Sequence, residues 1–495
     1  VIDLREAAAG QWAQRLSPRY LDQHCLLPLG TADDRSLLVA AGESVSQSTL
    51  DELELLFERP IRLVEASAAE IRAAILASPR DAASAPTNGD SNGSATHDDV
   101  SLDDVRALAS QAPVVRLVNV LLLDALRASA SDVHFESAGA RDGVRVRYRL
   151  DGVLHDISRI GGVEAPAVIS RVKIMAGLNI AERRLPQDGR ARVRLGDRDI
   201  DLRVATLPAL HGESIVVRLL DHGAQSRGLA ELGMRPDIRA AWEAVTARAS
   251  GLVLVTGPTG SGKTTTLYAA IARLNAPGVK LVTVEDPVEY QIGGVVQMPV
   301  NRKAGLTFAS ALRSILRHDP DIIMVGETRD GETASIAVQA ALTGHLVFTT
   351  LHTNDAPSGV TRLVDMGIEP YLVSATVQAI LAQRLVRLLC GSCAEPYTPN
   401  ASELTGHAMR GAFRRPKGCA ECANTGYRGR TGVYELLVLN DRLRQMIVDR
   451  QPLDALRTTA QSAGMVALSD SAWTLAAEGT TSIAEVTRVV GSRDA

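Results

Sequence analysis

Lysine is scarce in this chain. Only Lys173, Lys263, Lys280, Lys303 and Lys417 are lysines among 53 basic residues. The rest are arginine, a compositional bias that leaves most arginines without a special role. Long apolar runs are also missing. None approaches the ~20 residues that a membrane-spanning helix needs. RLVNVLLLDAL (116–126), among the most apolar stretches, carries charges that suit a buried helix. The first residues, VIDLREAAAG, hold acidic side chains and no apolar core of signal-peptide type. Charge of one sign is not in large excess either: the formal net charge is −4, which gives no general drive toward nucleic acid. These absences predict a cytosolic protein, attached to any membrane through partners. Cysteine is rare too, at five residues, and thiols in such a compartment stay reduced.

What is present is ordinary globular protein in quantity. The chain has 495 residues, 45% hydrophobic and 22% charged, enough for several cores. Residues 1–77 alternate helix-like stretches with short apolar runs such as RSLLVAAG (35–42), and predict a small α/β domain. SPRDAASAPTNGDSNGSATHDD (78–99) lacks the apolar area to offset its ordering entropy and reads as a flexible linker over 78–100. A second domain follows over 101–225. It opens on a helix pattern, continues with the alternating GVRVRYRLDG (143–152) and the pair RARVRLGDRDIDLRVATLP (190–208), and closes with HGESIVVRLLD (211–221). From 228 onward the apolar runs at 252–256, 281–286, 321–327 and 346–351 alternate with helical stretches, the pattern of a largely parallel sheet covered on both faces. Beyond 371 the chain reads as mostly helical, interrupted by a cysteine-bearing segment.

GPTGSGKT (257–264) fits GxxxxGK[ST] between the strand pattern GLVLVT and the helix pattern TTTLYAAIARL. Glycine lets the backbone wrap a phosphate group, and the following helix offers its N-terminus to the same anion. Gly257, Pro258, Thr259, Gly260, Ser261, Gly262, Lys263, Thr264 and Thr265 are therefore the candidate ATP-binding loop. Lys263 is expected to reach the β- and γ-phosphates, and Thr264 to hold Mg²⁺. DIIMVGE (321–327) delivers Glu327 to the C-terminal end of a core strand, where ligands of open α/β sheets bind. Glu327 is the candidate for orienting the attacking water. VTVEDPVEY (282–290) places Glu285, Asp286 and Glu289 after another strand, with Glu285 the strongest catalytic candidate of the three. TGHLVFTTLHTN (343–354) sets His345 and His352 on either side of a strand, as candidate phosphate sensors. Asp321, ahead of its strand, reads as structural.

Four of the five cysteines stand as CGSC (390–393) and CAEC (419–422). CxxC pairs so spaced hold Zn²⁺ through four thiolates, so Cys390, Cys393, Cys419 and Cys422 are the candidate ligands. A redox motif and an unmetallated loop are the other readings, and no thioredoxin-like strand leads into either pair. Cys25, in QHCLLPL, reads as a buried apolar residue.

These stretches, with SDVHFE, SRVKIMAGLNIAERRLPQDGR, LTFASALRSILRHDPDIIMVGETRD and GYRGRTGVYELL, resemble the secretion ATPases of bacterial type II secretion and their type IV pilus-assembly relatives. The likeness is strong over 101–495 and looser over 1–77. It implies a multidomain α/β P-loop NTPase: a RecA-like motor over 228–495 with a four-cysteine zinc element at 390–422, a PAS-like mixed α/β second domain, and a small α/β N-terminal domain. It implies a hexamer using ATP and Mg²⁺, in which Glu285 and Glu289 belong to the acidic box, Glu327 is the Walker B glutamate, and His345 and His352 form the histidine box. Arg190 and Arg203 match the arginines through which the second domain approaches the phosphates. One departure stands out: GETRD replaces the usual GEIRD, putting the Thr328 hydroxyl beside Glu327, for which a modest rate effect is expected.

The resemblance further implies a peripheral inner-membrane ATPase. Residues 1–77 would dock on the cytoplasmic domain of an inner-membrane secretion protein, and the motor would act on an inner-membrane platform protein to assemble a pseudopilus. A pilus-assembly ATPase is the near alternative. A nucleic-acid motor and a non-catalytic nucleotide-dependent scaffold are alternatives of another class; the acidic balance and the cysteine element argue against the first, and no nucleic-acid partner is expected.

Overall fold

The structure is a computed structural model. It describes scattered positions between 12 and 74, and then residues 113–491 apart from 140–142, 162–163, 196–197, 222–227, 401 and 405–408. The expected linker at 78–100 lies outside the described residues. The chain forms two compact units, Val1–Ala112 and Pro113–Ala495.

In the first unit, β1 (Leu26–Thr31), β2 (Leu37–Ala41) and β3 (Ile61–Glu65) form one sheet in the order β1-β2-β3. Its core gathers Leu26, Leu27, Leu37 and Val39 with Cys25, which is buried as expected.

The second unit begins with α1 (Pro113–Arg127), whose buried stripe is Val118, Leu121, Leu122 and Ala125. These positions recur at helical spacing, which explains why this apolar run is a half-buried helix. The strands β4 (Asp132–Gly139), β5 (Gly143–Leu150) and β6 (Val153–Ile160) follow, then α2 (Glu164–Met175), β7 (Gln187–Leu195), β8 (Arg198–Ala209) and β9 (Gly212–Asp221). All six strands pair antiparallel in the order β6-β5-β4-β9-β8-β7. One face packs on the helices through Val133, Phe135, Val144, Val146, Val204 and Val217. The other carries the alternating polar residues, as the period of a half-buried strand requires.

The motor part contains α3 (Pro236–Thr246), β10 (Gly251–Thr256), α4 (Lys263–Leu274), β11 (Leu281–Glu285), β12 (Val296–Pro299), α5 (Phe308–Ile315), β13 (Ile322–Val325), α6 (Gly331–Leu342), β14 (Leu346–Leu351), α7 (Pro357–Asp365), α8 (Pro370–Thr376) and β15 (Val377–Leu389). Two short strands, β16 (Glu395–Pro396) and β17 (Arg414–Arg415), precede β18 (Tyr427–Val438) and the closing helices α9 (Asp441–Val448), α10 (Leu453–Ser462), α11 (Leu468–Ala477) and α12 (Ile483–Val490). The main sheet runs β12-β11-β13-β14-β10-β15-β18, with only the last strand antiparallel. Helix-bearing layers cover both faces, and every residue of β10, β11, β13 and β14 is buried.

One expectation fails here. VQAILAQRLVRLL is not helical; it is β15, a 13-residue strand. Its Leu, Ala, Gln and Arg favour helix locally. The edge of β10 on one side and β18 on the other offer it a full ladder, and that tertiary pairing overrides the local preference.

Candidate nucleotide site and tetracysteine element

The phosphate-loop sequence connects β10 to α4 at the C-terminal edge of the parallel strands. Gly257 has φ +146°, and an added Cβ there would lie 2.5 Å from the Gln383 carbonyl oxygen. Gly262, at φ +87°, caps α4 in the left-handed region. Only glycine takes these conformations freely, so the loop can pass close to β15 and still turn into the helix. Lys263 Nζ donates to the carbonyls of Gly257 (2.8 Å) and Pro258 (3.0 Å), so the ammonium rests inside its own loop. Burial, helped by Arg384 and opposed by Glu327, lowers its pKa to about 8. The Thr264 side chain is exposed at the first turn of α4, and Thr265 follows half-buried.

Glu327 emerges just after β13 and is 14% exposed. Arg329 Nε lies 2.7 Å from its Oε2, and His352 Nε2 lies 3.8 Å from the same oxygen. Burial, with Lys263 and Arg329, lowers the His352 pKa against the pull of Glu327, which keeps that ring neutral near pH 7. Thr328 is buried, and its hydroxyl meets the Thr349 hydroxyl at 2.8 Å. The extra hydroxyl of GETRD is therefore bonded to the neighbouring strand β14.

Glu285, at the end of β11, is 3% exposed and fully engaged. The Tyr268 hydroxyl donates to Oε2; Thr283 Oγ1 (2.6 Å) and Gln297 Nε2 (3.2 Å) donate to Oε1. Burial and this carboxylate together raise the Tyr268 pKa. Asp286 pairs with Arg302 at 3.0 Å, and Asp321 accepts from the Lys280 backbone N–H at 2.7 Å, the structural role expected of it.

Opposite the loop stands the polar face of the second sheet. Cross-strand partners place Arg149, Asp132, Arg218, Arg203 and Arg190 in one row over β5-β4-β9-β8-β7. Partners in register share a face, and like charges side by side repel. Asp132, 4% exposed, relieves part of that repulsion: Arg218 Nε donates to it at 2.9 Å, and Arg149 Nε lies 3.4 Å away. Arg203 lies 3.7 Å from Glu289 of the motor part. Arg190 is exposed at the end of the row. Among the described residues the row sets four arginines against one buried carboxylate, which suits a multiply charged anion.

Between the two walls lies a cleft of ≈ 1770 Å³, lined by the loop from Pro258 to Thr266 and by Glu285, Glu327 and His352 on one side and by Asp132, Arg149 and Arg218 on the other. Single-ligand sites usually enclose ~300–1,000 Å³, so the cleft is large enough for a nucleotide. His345 is not brought to it. That ring sits at the opposite, N-terminal end of β14, held by the carbonyl of Ala340 (2.9 Å) and by Thr343 Oγ1 (3.2 Å). Sequence reading missed Arg218, Arg149 and Asp132. The alternation of HGESIVVRLLD marks Arg218 as facing away from the core, but only strand register aligns it with Arg203.

The four cysteines converge. Sγ atoms lie 3.9 Å apart for Cys390 and Cys419, 3.8 Å for Cys393 and Cys422, and 3.7 Å for Cys419 and Cys422. Four sulfurs each ~2.3 Å from a tetrahedral ion are ~3.8 Å from one another, so the set fits Zn²⁺. Burial disfavours the Cys422 thiolate, but the backbone N–H groups of Cys419 and Gly426, each 3.2 Å from its sulfur, together with the Cys419 and Cys393 thiols, lower its pKa to about 7. The element follows β15 and leads into β18, where Asp151, from the β5–β6 turn, accepts from the Gly429 N–H at 2.8 Å. Other than this cluster, no group of three or more His, Cys, Asp or Glu among the described residues could hold a metal ion. No described helix is long and apolar enough to cross a membrane.

Comparison with known proteins agrees with this geometry. Residues 107–488 match the profile of the type II/IV secretion system protein family, and residues 2–85 that of the MshEN domain. The chain is 45% identical over 487 residues to the type II secretion system protein E of Xanthomonas campestris pv. campestris, covering 96% of this chain and 85% of that protein. It is 41% identical over 485 residues to the type IV pilus assembly ATPase PilB of Myxococcus xanthus, covering 94% and 84%. Among solved structures, the pilus retraction motor PilT with bound ADP superposes with a TM-score of 0.52 at 25% identity, over 78% of this chain and 98% of that one. With a family match over residues 107–488 and close identity across most of its length, the chain belongs to the type II/IV secretion system protein family, as one of its secretion ATPases.

Proposed function

We propose that this ATPase drives pseudopilus assembly in type II secretion. The observation that carries the reading is the cleft itself: Lys263 and Glu327 at one wall face the row of Arg218 and Arg149 at the other. In a bound state the loop N–H groups would receive phosphate oxygens. Lys263 would exchange its two carbonyl partners for the β- and γ-phosphates, guided by the charge it already carries below pH 8. Glu327, held by Arg329 and close to neutral His352, would orient the water for in-line attack on the γ-phosphorus. Arg203, Arg218 and Arg190 would stabilise the charge developing on the phosphoryl oxygens as the second domain closes. Phosphate sensing is assigned to His352 alone. Mg²⁺, when bound, neutralises phosphate charge; the exposed Thr264 hydroxyl would hold it, with Glu285 on the same side of the cleft. One zinc ion would be held by Cys390, Cys393, Cys419 and Cys422 and would close the 390–422 lobe.

The working form would be a homo-hexamer at the cytoplasmic face of the inner membrane. Residues 1–77 would dock on a cytoplasmic domain of a membrane secretion protein, and the motor would push on an inner-membrane platform. The identity to type II secretion relatives supports this system; the PilB relative, nearly as long a match, keeps pilus assembly as the second reading. Replacing Glu327 with Gln tests the chemistry: ATP turnover should fall by about 10²–10³, the loss of one transition-state group, with ATP affinity within about twofold. Persistent turnover would show that another group orients the water.

A further inference from the structure

Gln383 lies in β15, outside every motif named above, and is 1% exposed. Its Nε2 donates to the Ser261 carbonyl at 2.6 Å across 122 residues of sequence. The carbonyl can only accept, so the amide is oriented with its nitrogen toward the loop. The contact extends on both sides of Ser261. An added Cβ at Gly257 would lie 2.5 Å from the Gln383 carbonyl oxygen, and one at Gly262 would lie 3.1 Å from Gln383 Nε2. The loop therefore packs against the Gln383 backbone at its start and against the Gln383 amide at its middle and end. Gln383 Oε1 and the Ser261 hydroxyl are both buried without a hydrogen-bond partner among the described residues, an expensive arrangement at the wall of a ligand cleft. The next residue, Arg384, caps the contact: it donates to the Asn354 carbonyl at 2.9 Å and to the Gln383 carbonyl at 3.1 Å. β15 then runs to Leu389, one residue before the Cys390 sulfur.

We propose that Gln383 is a positioning residue for the ATPase reaction: its amide presets the phosphate loop for nucleotide and ties that loop to the strand that leads into the tetracysteine element. This rests on the reading of 257–265 as the phosphate-binding loop. The residue touches the loop backbone and no reacting atom, so it acts on binding before it acts on chemistry. Without the clamp the loop keeps its sequence but loses its fixed shape, and ordering must then be supplied on binding.

The test uses the full chain with Gln383→Met, which is close in volume and removes both polar atoms without leaving a buried charge. The Kd for ADP and the KM for ATP should each rise about tenfold, the effect of one buried hydrogen bond, with kcat at saturating ATP within about threefold. The zinc content should stay at the wild-type value, which reports that the fold is kept. Amide hydrogen exchange over 384–390 should slow on ADP addition in the wild-type protein and not in the variant. A folded variant with unchanged ADP affinity, or a fall in kcat with KM unchanged, overturns the proposal. If Gln383→Met does not fold, the wild-type exchange decides: no ADP-dependent slowing over 384–390 overturns it. Failure of the wild-type protein to bind ADP, or undiminished binding by Lys263→Ala, refutes the phosphate-loop reading itself and takes the clamp with it.

Discussion

The threonine pair beneath Glu327 invites a double-mutant cycle. Thr328 and Thr349 are 2% and 1% exposed, and their hydroxyls meet at 2.8 Å. Thr328→Val keeps the β-branch and the backbone bond to the Thr350 carbonyl, and removes only the hydroxyl. That leaves the Thr349 hydroxyl buried without this partner, which costs ~1–2 kcal/mol. Thr349→Val should cost about as much, for the same reason seen from the other side. With both hydroxyls gone no buried polar group is stranded, so the double variant should cost no more than one single variant. Chains with several cooperative units have no single unfolding free energy, so the readout is the melting transition that ADP raises. At about 2–4 °C per kcal/mol for a domain of this size, each single variant should lower it by ~2–8 °C and the pair by a similar amount. ATP turnover of Thr328→Val should stay within about twofold, since the hydroxyl is directed to β14. Single shifts that add up in the pair would refute the bonded-pair account. A tenfold change in turnover would show that the hydroxyl acts on Glu327.

Two further outcomes follow from the site. Freshly prepared reduced protein should contain about one zinc per chain, and Cys390→Ser should lower that content; metal-free wild-type protein would sink the four-thiolate site. Lys263, with its pKa near 8 in the free protein, should regain its proton when phosphate binds. Binding then takes up a proton above pH 8, so ADP affinity should fall as pH rises past 8, by up to ~10-fold per unit. Calorimetry at pH 8.5 in buffers of different ionisation enthalpy should detect that uptake; release of protons, or none exchanged, contradicts the assignment.

Parts of the site were legible because the relevant residues are close in sequence. Gly257 to Thr264 form one loop, DIIMVGE is one strand with its terminal carboxylate, and each CxxC is a single turn. The second sheet was readable for a related reason: RVRYRL and DLRVAT alternate cleanly, so the polar face could be assigned before the pairing was known. What escaped is set by distant partners. The alignment of Arg218 with Arg203 depends on β8–β9 register, and its restraint by Asp132 on a third strand, 86 residues away. β15 looked helical because its composition is helical, and with that strand went Gln383 and its bond to Ser261. His345 and His352 looked equivalent as two ends of one strand; the parallel direction of β14 brings only the second to the cleft.

The most direct test is made in the native cell, with Lys263→Ala replacing the wild-type residue and exoproteins measured in the culture medium. The account predicts that secreted protein falls sharply while surface pili and the motility they support persist. Unchanged secretion with loss of pili would contradict it and make the chain the motor of pilus assembly.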